Sequence, residues 1–158
     1  MTDAQVSDIY NLHDAGEGLC TAGQPTEAQL VAVAREGFEV VVNLALHDDP
    51  RYSLPDEPGL VKALGMAYAH IPVRFDSPAE SDLLAFFSAM DECRGRRVFL
   101  HCAANKRVTA FLGLYRAIRE RWAVDDAFAL LKRVWEPDDV WASFISAMLH
   151  KHRGTTLP

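Results

Sequence analysis

The chain has 158 residues, enough for one domain with its own core, and its 49% apolar and 24% charged content is that of a globular protein. A net charge of −6 at pH 7 argues against generic binding to nucleic acid or to an anionic membrane. Three cysteines at unrelated spacings, a polar and acidic N-terminus and the lack of an apolar run of membrane length predict a reduced, cytoplasmic protein without a disulfide framework.

Residues 1–18 are polar with scattered Gly and Asp, and read as a loosely held lead-in on which Ile9, Tyr10 and Leu12 dock. Leu19 to Pro25 reads as a short strand ending in turn residues. Thr26 followed three residues later by Gln29 is a capping-box pattern, and the helix it opens stops near Gly37. Phe38 to Ala45 is rich in β-branched residues and reads as a buried strand of a parallel sheet. His47 to Pro58 is acidic and proline-rich, hence a surface loop, and a short helix follows from Leu60 to Leu64. Met66 to Val73 is the next strand, with Pro72 suited to an end or an edge. Ser77 with Glu80 makes a second capping-box pattern, placing Pro78 at the first position of a helix through Leu83, Phe86, Phe87 and Met90.

The chain then reaches Arg97 to Thr109, the stretch that carries most of its chemistry. Val98, Phe99 and Leu100 read as a buried strand, and Val108, Phe111, Leu112, Tyr115, Ile118 and Trp122 recur at helical spacing, so a helix opens at about Arg107. Only Cys102 to Lys106 separate the two. A tight turn feeding a helix aims unpaired N–H groups and the positive end of the helix dipole into one concavity, which favours a bound anion and an ionised sulfur. Cys102 lies at the mouth of this turn, and Arg107 at its far end has the planar fork that grips two oxygens of an oxyanion. Beyond it, Asp125 caps a helix running to Trp135, and a last helix runs from about Asp138 to His150. Trp135 and Trp141 fit core positions, and Gly113 inside the central helix predicts close packing against a neighbour.

Strands alternating with helices predict an α/β fold, a mainly parallel central sheet of about four to five strands with helices on both faces. Ligands then sit beyond the carboxyl ends of the strands, where the loops after Ala45 and Val73 would meet over Cys102. The histidines show no metal-ligand spacing, so neither a metal nor another cofactor is expected. Oligomeric state leaves no readable signal.

His-Cys, a short loop and Arg opening a helix resembles the cysteine-dependent tyrosine and dual-specificity phosphatases, and H-C-A-A-N-K-R-V-T-A-F is most similar to a bacterial, atypical branch. The likeness runs from about Leu19 to Leu149 and is specific over Val98 to Leu114. It implies Cys102 as nucleophile, with Arg107 and the loop amides of Ala103, Ala104, Asn105, Lys106 and Val108 holding the phosphoryl oxygens, and His101 supporting the thiolate. The general acid this chemistry requires falls to Asp76, just outside a helix and 26 residues before Cys102, with Asp82 as its rival. His47, Asp48 and Asp49 lie in a loop that reaches the rim. The implied substrate is a phosphorylated protein or a small-molecule phosphate ester.

Two features depart from the family pattern. Four residues rather than five separate Cys102 from Arg107, with no Gly among them, which leaves Asn105 to supply the positive φ. Val108 replaces the usual hydroxyl residue, and Thr109 comes one step later, about 100° further round the helix. The four-residue spacing is also the length used by rhodanese-like sulfurtransferases, which gives a second reading in which Cys102 carries a persulfide. A third reading, a phosphate-binding relative with little turnover, follows from the absent Gly and hydroxyl.

Overall fold

The computed structural model describes residues 4–48 and 53–153; Asp49 lies outside the described residues. Strands β1 (His13–Gly16), β2 (Leu19–Ala22), β3 (Val40–Asn43), β4 (Ala67–His70) and β5 (Val98–His101) form one sheet in the order β1-β2-β5-β3-β4. Strands β2, β5, β3 and β4 run parallel, and β1 joins antiparallel at one edge. The α/β architecture and the mainly parallel sheet are as expected.

Period-two alternation along the central strands sorts their side chains into two layers. Val40, Val42, Val98 and Leu100 face a core shared with helices α3 (Glu80–Glu92), α4 (Lys106–Ile118), α5 (Val124–Ala127), α6 (Ala129–Val134) and α7 (Asp139–Arg153). Val41 and Phe99 face a smaller core with α1 (Glu27–Arg35), α2 (Glu57–Ala63) and Ile9, which follows a short 3-10 turn at Val6–Asp8. Helix α4 is buried from Arg107 to Ile118, because it lies between the sheet and the outer helices.

Helix starts divide into those whose signal held and those overridden. The Thr26 capping box is present in both directions: Thr26 Oγ1 accepts from Gln29 N–H at 3.1 Å, and Gln29 Oε1 accepts from Thr26 N–H at 2.9 Å. The second box is absent. Ala79 is extended at φ −118° and ψ 146°, so α3 begins at Glu80 and Ser77 bonds instead to Asp76. The expected helix from Asp125 to Trp135 breaks into α5 and α6 at Phe128. The Phe128 ring occupies the space that a side chain at Gly113 would fill, the close packing Gly113 predicted. Helix α2 starts at Glu57 rather than Leu60, with Asp56 Oδ1 accepting from Gly59 N–H.

The segment before Leu19 departs most from expectation. Instead of a loose lead-in, its described residues 4–18 contribute the 3-10 turn and the edge strand β1, with Ile9 buried as foreseen and Tyr10 exposed.

Candidate active site

The carboxyl ends of β3, β4 and β5 lie side by side, and side-chain alternation sends His101 and Cys102 to opposite sides of the sheet. Cys102 belongs to the core on the α4 side, and its N–H donates to Ala22 O at 3.3 Å. His101 points to the α2 side, where its Nε2 donates to Glu57 Oε2 at 2.6 Å. Its Nδ1 lies 3.3 Å from the Cys102 carbonyl oxygen. Both side chains of this pair have no exposure.

The turn between β5 and α4 is tied down from outside. Ala103 O accepts from Gln24 N–H at 3.0 Å, and Ala104 O accepts from Asn11 Nδ2 at 3.0 Å. Gly23 permits this approach, since a Cβ there would stand 2.6 Å from Ala103 O and 2.6 Å from the Tyr10 ring. Asn105 takes the left-handed conformation its place required, at φ 66°. Its amide does not cap α4 but donates from Nδ2 to Asn11 O and Thr21 Oγ1, at 3.0 and 2.9 Å. With the carbonyls of Ala103 and Ala104 turned to these partners, the first-turn N–H groups of α4, which no intrahelical carbonyl can satisfy, are the groups available to an anion.

Arg107 is only 8% exposed. Its Nη1 donates to Val73 O at 2.8 Å, joining the start of α4 to the loop after β4. Its Nε is buried with no hydrogen-bond partner, a donor left for an oxyanion. Lys106 is exposed and stands over the Phe75 and Trp135 rings, 5.9 and 5.6 Å from their centroids. Val108 is buried in the core. Thr109 offers no substitute hydroxyl: Oγ1 lies 2.9 and 3.0 Å from the carbonyls of Asn105 and Lys106, sharing one proton, and accepts from Trp135 Nε1 at 3.1 Å.

Asp76 stands exposed in the loop after β4, three residues past Val73, with Arg74 Nε 3.4 Å from its Oδ1. Asp82 lies within the first turn of α3, where partial burial pushes its carboxyl up. His47 and Asp48 are exposed after β3. Asn43 Nδ2 donates to His47 Nε2 at 2.7 Å, and the His47 ring stacks on His70 with centroids 4.4 Å apart. Burial, with His70 as the next cause, pushes His47 down. Among the described residues no group of three or more His, Cys, Asp or Glu is placed to hold a metal ion. Burial and then the charge of Asp14 push the Cys20 thiol up to about 11.

Sequence reasoning missed Glu57, assigned to a surface loop, and with it Gln24, whose Nε2 donates to Glu57 Oε1 at 2.9 Å. A signal for Glu57 was present: Asp56 at a cap and Pro58 in the first turn together mark a helix start at 57. Burial acts first to raise the Glu57 carboxyl, but hydrogen bonds from His101 and Gln24 and the charge of His101 bring it below the ordinary carboxylate value. Burial and then the Glu57 charge push Tyr68, which accepts from Asn43 Nδ2 at 3.1 Å, far above its ordinary value.

Residues 4–138 match the family model described as DSP-PTPase phosphatase fused to NAD+ kinase. The beta-lactamase hydrolase-like protein of Xylella fastidiosa (strain Temecula1) is 30% identical over 123 residues, 74% of this chain and 27% of its own length. The chain thus spans about a quarter of that curated relative. A DUF442 phosphatase structure from Shewanella putrefaciens CN-32 superposes with a TM-score of 0.82 at 30% identity, covering 93% of this chain and 96% of the other. Tk-PTP in its active form shares the fold at a TM-score of 0.73 and 20% identity, over 87% of this chain and 95% of its own.

Proposed function

The chain belongs to the family of DSP-PTPase phosphatases, within the cysteine-dependent tyrosine and dual-specificity superfamily, and from that membership we propose that it hydrolyses a phosphate monoester through a cysteinyl-phosphate. The observation that carries this reading is Arg107: a nearly buried guanidinium with an unpartnered Nε, at the start of the helix that follows Cys102. Cations are disfavoured at a helix N-terminus, so a bound oxyanion is what balances the arrangement.

In this mechanism the Cys102 thiolate attacks phosphorus in line, forming the S–P bond as the ester P–O bond breaks. Arg107 and the amides of residues 103–108 stabilise the equatorial oxygens, and His101 supports the turn from behind through the Cys102 carbonyl. Asp76 gives its proton to the departing oxygen, then takes one from the water that cleaves the S–P bond, releasing inorganic phosphate. The substrate is a phosphorylated protein or a small phosphate ester, met in the cytoplasm.

The test is hydrolysis of p-nitrophenyl phosphate by the Cys102→Ser variant, together with alkylation of wild-type Cys102 by iodoacetamide. Loss of all hydrolysis in the variant, and protection of the wild-type sulfur by inorganic phosphate, are expected. Retained hydrolysis would refute the mechanism.

A second reading, phosphate binding with slow turnover, is favoured by the engaged Thr109 hydroxyl, which leaves no hydroxyl from position 108 or 109 to assist release of the sulfur. There Cys102 would still phosphorylate, but the adduct would persist and appear as a mass gain on the intact chain.

A further inference from the structure

The loop that bears Asp76 is held from a direction the proposed chemistry does not require. The Phe75 ring packs against Trp135 and Trp141, with centroids 5.7 and 5.8 Å away. Trp141 Nε1 donates to Phe75 O at 2.7 Å, from an indole with no exposure. A buried indole N–H needs an acceptor, and here the carbonyl adjoining Asp76 is that acceptor. Trp141 is itself fixed: its N–H donates to Asp138 Oδ1 at 3.0 Å, and its ring meets Phe111 and Phe144 at 6.0 and 5.9 Å. Trp135 is pinned to α4 through Thr109 Oγ1. At the loop's other end Val73 O accepts from Arg107. Two carbonyls of the segment 73–76 are therefore held by distant elements, one by Arg107 of α4 and one by Trp141 of α7.

We propose that Trp141 and Trp135 are positioning residues that fix the Asp76 loop against the phosphate-binding turn, so that the C-terminal helical layer sets how well the leaving group is protonated. The inference rests on Asp76 being the general acid. A carboxyl that must reach an oxygen within hydrogen-bond distance loses effect when its backbone drifts by an ångström, and the loss shows where the leaving group most needs a proton.

The experiment compares wild type, Asp76→Asn and Trp141→Phe on p-nitrophenyl phosphate, whose phenolate leaves readily, and on β-glycerophosphate, whose alkoxide does not. Trp141→Phe keeps an aromatic ring and removes the N–H. It should lower kcat on β-glycerophosphate by roughly tenfold, part of the 10²–10⁴ a general acid supplies, with KM nearly unchanged and a much smaller loss on p-nitrophenyl phosphate. Hydrogen exchange at the amides of residues 74–77, read by mass spectrometry without any substrate, should accelerate in the same variant.

If Asp76→Asn shows the leaving-group dependence and Trp141→Phe does not, the positioning role is overturned and the acid stands. If Asp76→Asn shows none, the acid assignment falls, and the positioning role falls with it. Unchanged exchange in Trp141→Phe overturns the hold on the loop whatever the kinetics. Should Trp141→Phe fail to fold, Phe75→Leu, at a half-buried position, removes instead the ring that packs on Trp135 and Trp141 and is compared in the same way.

Discussion

Glu57 has both carboxylate oxygens engaged, Oε2 by His101 and Oε1 by Gln24, in a site closed to solvent. A carboxyl more acidic in the folded than in the unfolded chain stabilises the fold above its unfolded value of about 4.3, and that contribution is lost as pH falls through the folded value. Urea midpoints measured against pH should therefore drop steeply for wild type below about pH 4.3, and less steeply for Glu57→Gln. The variant should also be about 1–3 kcal/mol less stable at pH 7, the range for a hydrogen bond to a charged group and its unmade partner. An acid limb unchanged in Glu57→Gln would show that the ionised carboxylate is not what holds His101. At this scale the sequence was readable where a residue's neighbours in the chain decide its role, as at Asn105, whose φ followed from the tightness of the turn. It was opaque at Glu57 and Gln24, where the partner lies 44 or 33 residues away and no local pattern records the contact.

Helix starts show the same division at the scale of elements. Thr26 and Gln29 make their reciprocal bonds, so Thr26→Ala should lower stability by about 1 kcal/mol in thermal or urea unfolding. Ser77 has the same spacing to Glu80 but caps nothing, so Ser77→Ala should stay within about 0.5 kcal/mol of wild type. A Ser77→Ala loss equal to that of Thr26→Ala would mean that α3 begins where the pattern alone placed it. The pattern failed there because Ala79 is extended, and a capping side chain works only when the next residues turn helical. The start of helix α4 was legible to within a residue, since tertiary packing agrees with its apolar period, but that period was followed on to Trp122 and the helix ends at Ile118. The hairpin of β1 and β2 was not: β1 has the burial pattern of a half-exposed edge and no apolar alternation to announce it.

For the molecule as a whole, the strand order could not be read from the chain, yet the position of Cys102 could. Any parallel α/β sheet places its ligand beyond the strand ends, whichever strand is central. Here β5 lies between β2 and β3, so the turn carrying Cys102 is supported on both flanks, and α4 behind it touches the outer helices. A ligand that binds such a turn binds only the folded chain. Inorganic phosphate at 100 times its Kd should stabilise by about 2.7 kcal/mol and raise the single melting transition, while Arg107→Ala should abolish the shift. A phosphate-dependent rise that survives in Arg107→Ala would place the anion elsewhere.

The opposite directions taken by His101 and Cys102 make the end of β5 a partition. On one side Cys102 lies in the core, with exposed Lys106 four residues on; on the other lie a carboxylate and an imidazole with no exposure. Salt screens exposed Lys106 far more than the buried pair, because a Debye cloud of about 8 Å at physiological salt forms in solvent and not in the interior. Any steering of anions by Lys106 should thus weaken as salt rises, whereas the bond between His101 and Glu57 should not.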